Sequence, residues 1–156
     1  MSFTVDISEI LAFAQRGENA VHMIPAALNK AGRASGEAVV RMAMSKARVK
    51  SGTMKGSIKV DSVEASGSGV LVRIVANAQS AKGFPYPRSI EYGRKGFSAT
   101  RAKVLVFPAN GKVVYTKRVG PAAAHPFMGP GLTAAGPFIM AAFKREYAAL
   151  LAAWGG

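Results

Sequence analysis

There is no cysteine among the 156 residues. This excludes a disulfide framework, a thiolate nucleophile and cysteine metal ligands, and it is consistent with assembly in a reducing cytoplasm. Histidine is nearly as scarce, with only His22 and His125, and the eight carboxylates are scattered. A metal site of the usual His, Cys and carboxylate type is short of ligands, so no metal and no cofactor is expected. Glu91 is the one carboxylate in the middle third after Glu64, which makes a glycosidase-like acid pair hard to assemble. No run of about twenty apolar residues occurs, and the segment Met1 to Gly17 has no basic stretch ahead of an apolar one. Neither membrane spanning nor export is expected.

What is present is apolar mass and positive charge. With 49% hydrophobic residues, the chain has the material for one domain spanning 1–156. Twenty-one Lys and Arg against eight Asp and Glu give a net charge of +13, which points to a polyanion, an acidic protein surface or an anionic membrane as neighbour. The charge lies in two blocks. Lys30 to Lys59 has eight basic residues and one acidic, Glu37; Lys82 to Arg118 has nine and one, Glu91. Lys30, Arg33, Arg41 and Arg48 in the first block, and Arg88, Arg94, Lys95, Arg101, Lys103, Lys117 and Arg118 in the second, are the candidate interface or DNA-facing cations.

The pattern predicts an α+β fold. After an N-terminal arm (1–19), Val21, Ile24, Leu28, Ala31, Ala38, Val39 and Met42 fall on one face of a helix over 20–50, with Lys30, Arg33, Arg41 and Arg48 opposite. Pro25 belongs in its first turn. Gly32 and Gly36 each cost about 1 kcal/mol relative to Ala, so the helix needs packing to persist, and they permit a close neighbour. Ser51 and Gly52 are expected to end it, with Lys46, Arg48 and Lys50 in its last turns. "SIKVDSVEA" and "GVLVRIVANA", joined by "SGSG", read as a hairpin over 56–78. Residues 82–126 form an irregular segment with a second hairpin turning at Asn110 and Gly111. "AAAHPFMGPGLTAAGP" reads as a rigid connector into a C-terminal helix over 133–154, whose apolar face is Ile139, Met140, Phe143, Tyr147, Leu150, Leu151 and Trp154. The expected architecture is a largely antiparallel sheet of about four strands with both helices packed on it.

No catalytic constellation emerges. His125 sits between alanines and a proline in a connector, where packing or turn formation accounts for it, and Glu91 suits an ion pair with Arg88 or Arg94 better than a reaction. "SGTMKGS" has glycines four apart but lacks the Gly-Lys-Ser/Thr ending of a phosphate loop, and it runs from helix to strand, the reverse of the phosphate-binding order. Phe84, Tyr86, Tyr92, Phe97 and Tyr115 are interleaved with the cations of the second block. They supply the ingredients of a nucleic-acid stacking platform, yet Tyr and Arg are equally enriched at protein interfaces.

Three stretches occur in the order found in a known family. "SGTMKGSIKV" contributes Ser51, Gly52, Met54, Ser57 and Ile58; "SIEYG" contributes Ile90, Glu91, Tyr92 and Gly93; "HPFMGPGL" contributes Pro126, Phe127, Met128, Pro130 and Leu132. Together they resemble the neck, or head-to-tail joining, proteins of long-tailed bacteriophages, the tail completion proteins similar to minor tail protein Z. This chain departs from that pattern in having Ser51 for threonine, Met54 for leucine, Pro87 for alanine and Gly131 for alanine. The resemblance implies a virion protein, not an enzyme, made in the host cytoplasm and built into the neck. There it forms a homo-oligomeric ring of about six or twelve copies around a channel for double-stranded DNA, which passes without its sequence being read. Its partners are the head connector or head-closure protein and the tail-terminator or tail-tube protein. Head-closure and tail-terminator rings remain alternatives within that reading, and a free, non-sequence-specific DNA-binding protein is the alternative outside it. Either basic block could line the channel or face an acidic ring above or below.

Overall fold

A computed structural model describes residues 1–8, 22–48, 52–66, 69–80, 83, 85–100, 102–109 and 111–155. The elements in chain order are β1 (Ser2–Asp6), α1 (Ile24–Lys46), α2 (Thr53–Gly56), β2 (Ile58–Ser66), β3 (Gly69–Ala76), α3 (Pro87–Tyr92), β4 (Phe97–Ser98), β5 (Leu105–Ala109), β6 (Lys112–Thr116), β7 (Arg118–Val119) and α4 (Met128–Gly155). They group into two compact units, Met1–Ala78 with Phe127–Gly156, and Gln79–Pro126. The fold is α+β, as the sequence implies.

In the first unit, Pro25 occupies the first turn of α1, where its missing N–H is no loss. One side of the helix is buried through Ile24, Leu28, Ala31, Gly32, Ser35, Gly36, Ala38, Val39 and Ala43. That side lies on β2 and β3 and against α4. The glycines set how closely. A Cβ on Gly32 would stand 2.8 Å from Val70 Cγ2 and 2.9 Å from Val63 Cγ1; one on Gly36 would stand 2.8 Å from Val60 Cγ2 and 2.9 Å from Val72 Cγ1. These two residues weaken the isolated helix by about 1 kcal/mol each, and the valines of the sheet fill the space they leave.

The helix stops earlier than expected. Ala47 turns to extended backbone at ψ 128°, so of the nearby cations only Lys46 lies in the last turn. Gly52 does adopt the left-handed conformation, with φ 72°, but it stands at the start of α2 rather than at the end of α1. Ser51 and Lys50 lie outside the described residues. β2 and β3 form the expected antiparallel hairpin, running from Ile58↔Ala76 to Ser66↔Gly69 with an irregularity between Val60 and Ser62. β1, read from sequence as an arm, pairs with the other edge of β3 from Ser2↔Arg73 to Asp6↔Gly69. The sheet therefore has three strands in the order β1-β3-β2.

α4 begins at Met128, five residues before the expected start at 133. Pro130 falls in its first turn, where N–H groups have no intrahelical acceptor anyway. Pro137 lies inside the helix on an exposed face, so the Thr133 carbonyl it leaves unbonded can be taken by water. The helix runs antiparallel along α1. Gly131 sits against Ala43, where a Cβ would be 2.7 Å from both the Ala43 Cα and its backbone nitrogen. At the other end Phe143, Tyr147 and Leu150 meet Ile24, Ala27, Leu28 and Ala31. Packing along α1, rather than directly on the sheet, gives a three-layer order of sheet, α1 and α4. Met140, expected on the inward face, is 58% exposed, while Ala135 and Ala142 are buried.

The second unit is thinner. β5 and β6 make a two-stranded ribbon from Leu105↔Thr116 to Ala109↔Lys112, with Gly111 at φ 75° in the turn and Asn110 outside the described residues. β4 and β7 form a second small ladder, Phe97↔Val119 and Ser98↔Arg118. Arg94 and Ala122 exchange backbone hydrogen bonds of 3.0 and 2.9 Å, and the His125 N–H donates to the Ile90 carbonyl at 2.7 Å.

Candidate functional site

Two of the three sequence motifs serve the core of the first unit. Gly52 starts α2, Met54 and Ile58 are buried, and the Ser57 hydroxyl donates to the Met54 carbonyl at 2.8 Å. In the third motif Phe127 is 1% exposed and Met128 8%. Pro126 and Pro130 are exposed and Leu132 is half-buried. The middle motif belongs to the second unit. Ile90 and Glu91 are half-buried on α3. Gly93 ends that helix at φ 71°, and a Cβ there would meet the Ala122 carbonyl oxygen at 2.7 Å. Tyr92 projects outward, 76% exposed. Most motif positions thus fix backbone and core.

The surface chemistry lies elsewhere. In the second unit Arg88, Arg94, Lys95, Lys103, Lys117 and Arg118 are exposed, and Arg101 lies outside the described residues. The Arg94 guanidinium sits 5.3 Å from the centroid of the Phe97 ring, a contact worth about 0.5–1 kcal/mol at an exposed site. Strand alternation puts Val106, Val113 and Tyr115 on one face of the β5-β6 ribbon, and they are 51%, 59% and 68% exposed. The two valines were not singled out from sequence. Their signal was the alternation in "KVLVFPANGKVVY", but which face is left open depends on the fold.

In the first unit Lys30, Arg33, Arg41 and Arg48 are exposed on or just after α1, as the helical spacing requires. Arg33 and Arg41 come together with Lys59 of β2 in an open groove that also contains Glu37, Val40, Ile58 and Val60. Lys59 was missed as a partner of the helix cations because helix periodicity says nothing about the strand beside it. Among the described residues no group of three or more His, Cys, Asp or Glu side chains comes together, and no helix is long and apolar enough to cross a membrane.

Residues 12–108, more than half of the chain, match the family model described as "Bacteriophage HK97-gp10, putative tail-component". The chain belongs to the HK97-gp10-like family. This makes it a structural component of a bacteriophage tail and places it in the virion. The match to the HK97-gp10-like model takes in α1, the β2-β3 hairpin and the middle motif, and it ends within β5. The motif from Pro126 to Leu132 lies beyond it. No curated protein and no solved structure matches.

Proposed function

We propose that this chain forms a homo-oligomeric ring in the neck of a tailed phage, joining the head connector to the tail around the DNA channel. One observation carries the reading. Residues 79–126 expose Tyr92, Phe97, Val106, Val113 and Tyr115 and contain no buried apolar side chain among the described residues except Pro87. So short a unit without a core of its own needs cover from outside. A neighbouring copy supplies it in a ring, where each subunit presents two different surfaces that meet around a circle. The segment from Pro85 to Phe97 and the β5-β6 hairpin are the parts that reach the next subunit or the next ring; Phe84 lies outside the described residues.

The charge supports a division of labour. The second block, nine cations to one carboxylate, attracts passing DNA through its phosphates without reading sequence. The first block faces an acidic protein surface and guides docking.

Electron microscopy of the purified protein tests the ring: annular particles, or caps on the ends of isolated tails, are expected. The end that is capped separates a joining protein from a head-closure or tail-terminator ring. A monomer that binds duplex DNA tightly at physiological salt would instead make this a free DNA-binding protein. Charge reversal at Arg94, Lys95 and Arg101 should reduce DNA retention in particles, and if retention and tail joining both survive, neither role belongs to that block.

A further inference from the structure

We propose that the groove between α1 and β2 is a docking site for an acidic, extended segment of another protein, which adds as a strand to the edge of β2. β2 stands last in the sheet order β1-β3-β2, so among the described residues the outer row of its backbone N–H and C=O groups has no strand neighbour. At nine residues it is long for an edge strand, and such an edge is a template for another chain. Beside it the groove offers Val40, Ile58 and Val60 as an apolar floor and Arg33, Arg41 and Lys59 as cations, against the one carboxylate Glu37. Among the described residues none of the three cations has an ion-pair partner.

The spacing fits a strand. Arg33 and Arg41 are eight residues apart on α1, a rise of about 12 Å. Carboxylates four residues apart on one face of an extended segment are separated by about 13 Å, so one segment can meet both arginines. Glu37, midway between them, would oppose a phosphate but can accept an N–H from a peptide. The apolar floor likewise suits a side chain and gives a nucleic-acid backbone nothing to bury. This assignment rests on the reading of the first basic block as the protein-facing one, and it adds the mode of docking and the chemistry of the partner.

The test uses the full-length protein and a fluorescein-labelled heptapeptide, Thr-Glu-Val-Val-Val-Glu-Thr, followed by anisotropy. Binding is expected to weaken about tenfold in R33E/R41E, the loss of two partly screened ion pairs. A similar loss is expected with Lys in place of both Glu, and with a peptide N-methylated at alternate backbone nitrogens. The bound peptide should also slow hydrogen exchange along residues 58–66. Circular dichroism checks that R33E/R41E is folded, and K59E provides an independent variant. No binding by the parent peptide, equal binding by R33E/R41E and K59E, equal binding of the N-methylated peptide, or displacement by a short DNA duplex would each overturn the proposal. Annular particles seen alongside any of these failures would leave the ring standing, and peptide binding without annuli would do the reverse.

Discussion

The two units of the chain put their apolar side chains to opposite uses. In Met1–Ala78 with Phe127–Gly156, Ile24, Leu28, Val39, Val70, Val72, Ile74 and Phe127 are all buried. Close approach at Gly32, Gly36 and Gly131 brings sheet, α1 and α4 within van der Waals contact. In Gln79–Pro126 Tyr92, Phe97, Val106, Val113 and Tyr115 are exposed, and shape is held by short ladders and backbone hydrogen bonds such as those joining Arg94 to Ala122. Charge follows the same division, since the second unit has a single carboxylate among its cations. A core made by one chain is complete in itself, whereas a surface of exposed aromatics and cations is completed by something else.

The sharpest way to break this contrast is to attack the core. Phe127→Ala, which empties a fully buried site, is expected to lower unfolding free energy by about 3–5 kcal/mol, read from denaturant melts. Gly131→Ala should cost about 2–3 kcal/mol, because its new methyl meets the Ala43 backbone, which cannot yield. Gly32→Ala meets only valine side-chain ends and regains helix propensity, so its loss should be smaller, and a larger loss than at Gly131 would contradict the packing described. Gly93→Ala should cost about 1–3 kcal/mol within the second unit alone, seen as faster hydrogen exchange over residues 85–126 with α1 unchanged. Smallest in stability, within about 0.5 kcal/mol, is the exposed pair V113S/Y115S. Its effect should appear in electron micrographs as lost annuli, and intact annuli would show that the ribbon face is not the contact.

Much of the first unit was legible in the sequence because its signals are long and periodic. The seam of α1 from Ile24 to Val39, the meaning of Gly32 and Gly36, and the hairpin around "SGSG" all follow from spacing and turn chemistry. β1 was not legible: five residues with only Phe3 and Val5 facing inward make a strand once β3 offers an edge. The early start of α4 was hidden by reading the stretch that holds Pro130 as a rigid connector, when that proline falls in the first turn, where it is harmless. Helix α3 did carry a signal, Pro87 at its start and Gly93 at its end, the asymmetry expected of helix termini. For the surfaces, the cations were legible by type and position. Their grouping was not, because bringing Arg33 and Arg41 beside Lys59 needs the tertiary approach of helix to strand.

Clamping α1 from two directions has a mechanical side. Valine branches seat at residues 32 and 36, while residue 131 of α4 abuts Ala43, so the rod cannot roll or slide without forcing atoms into one another. A push delivered to the arginines along it would pass to the sheet as movement of a single solid piece.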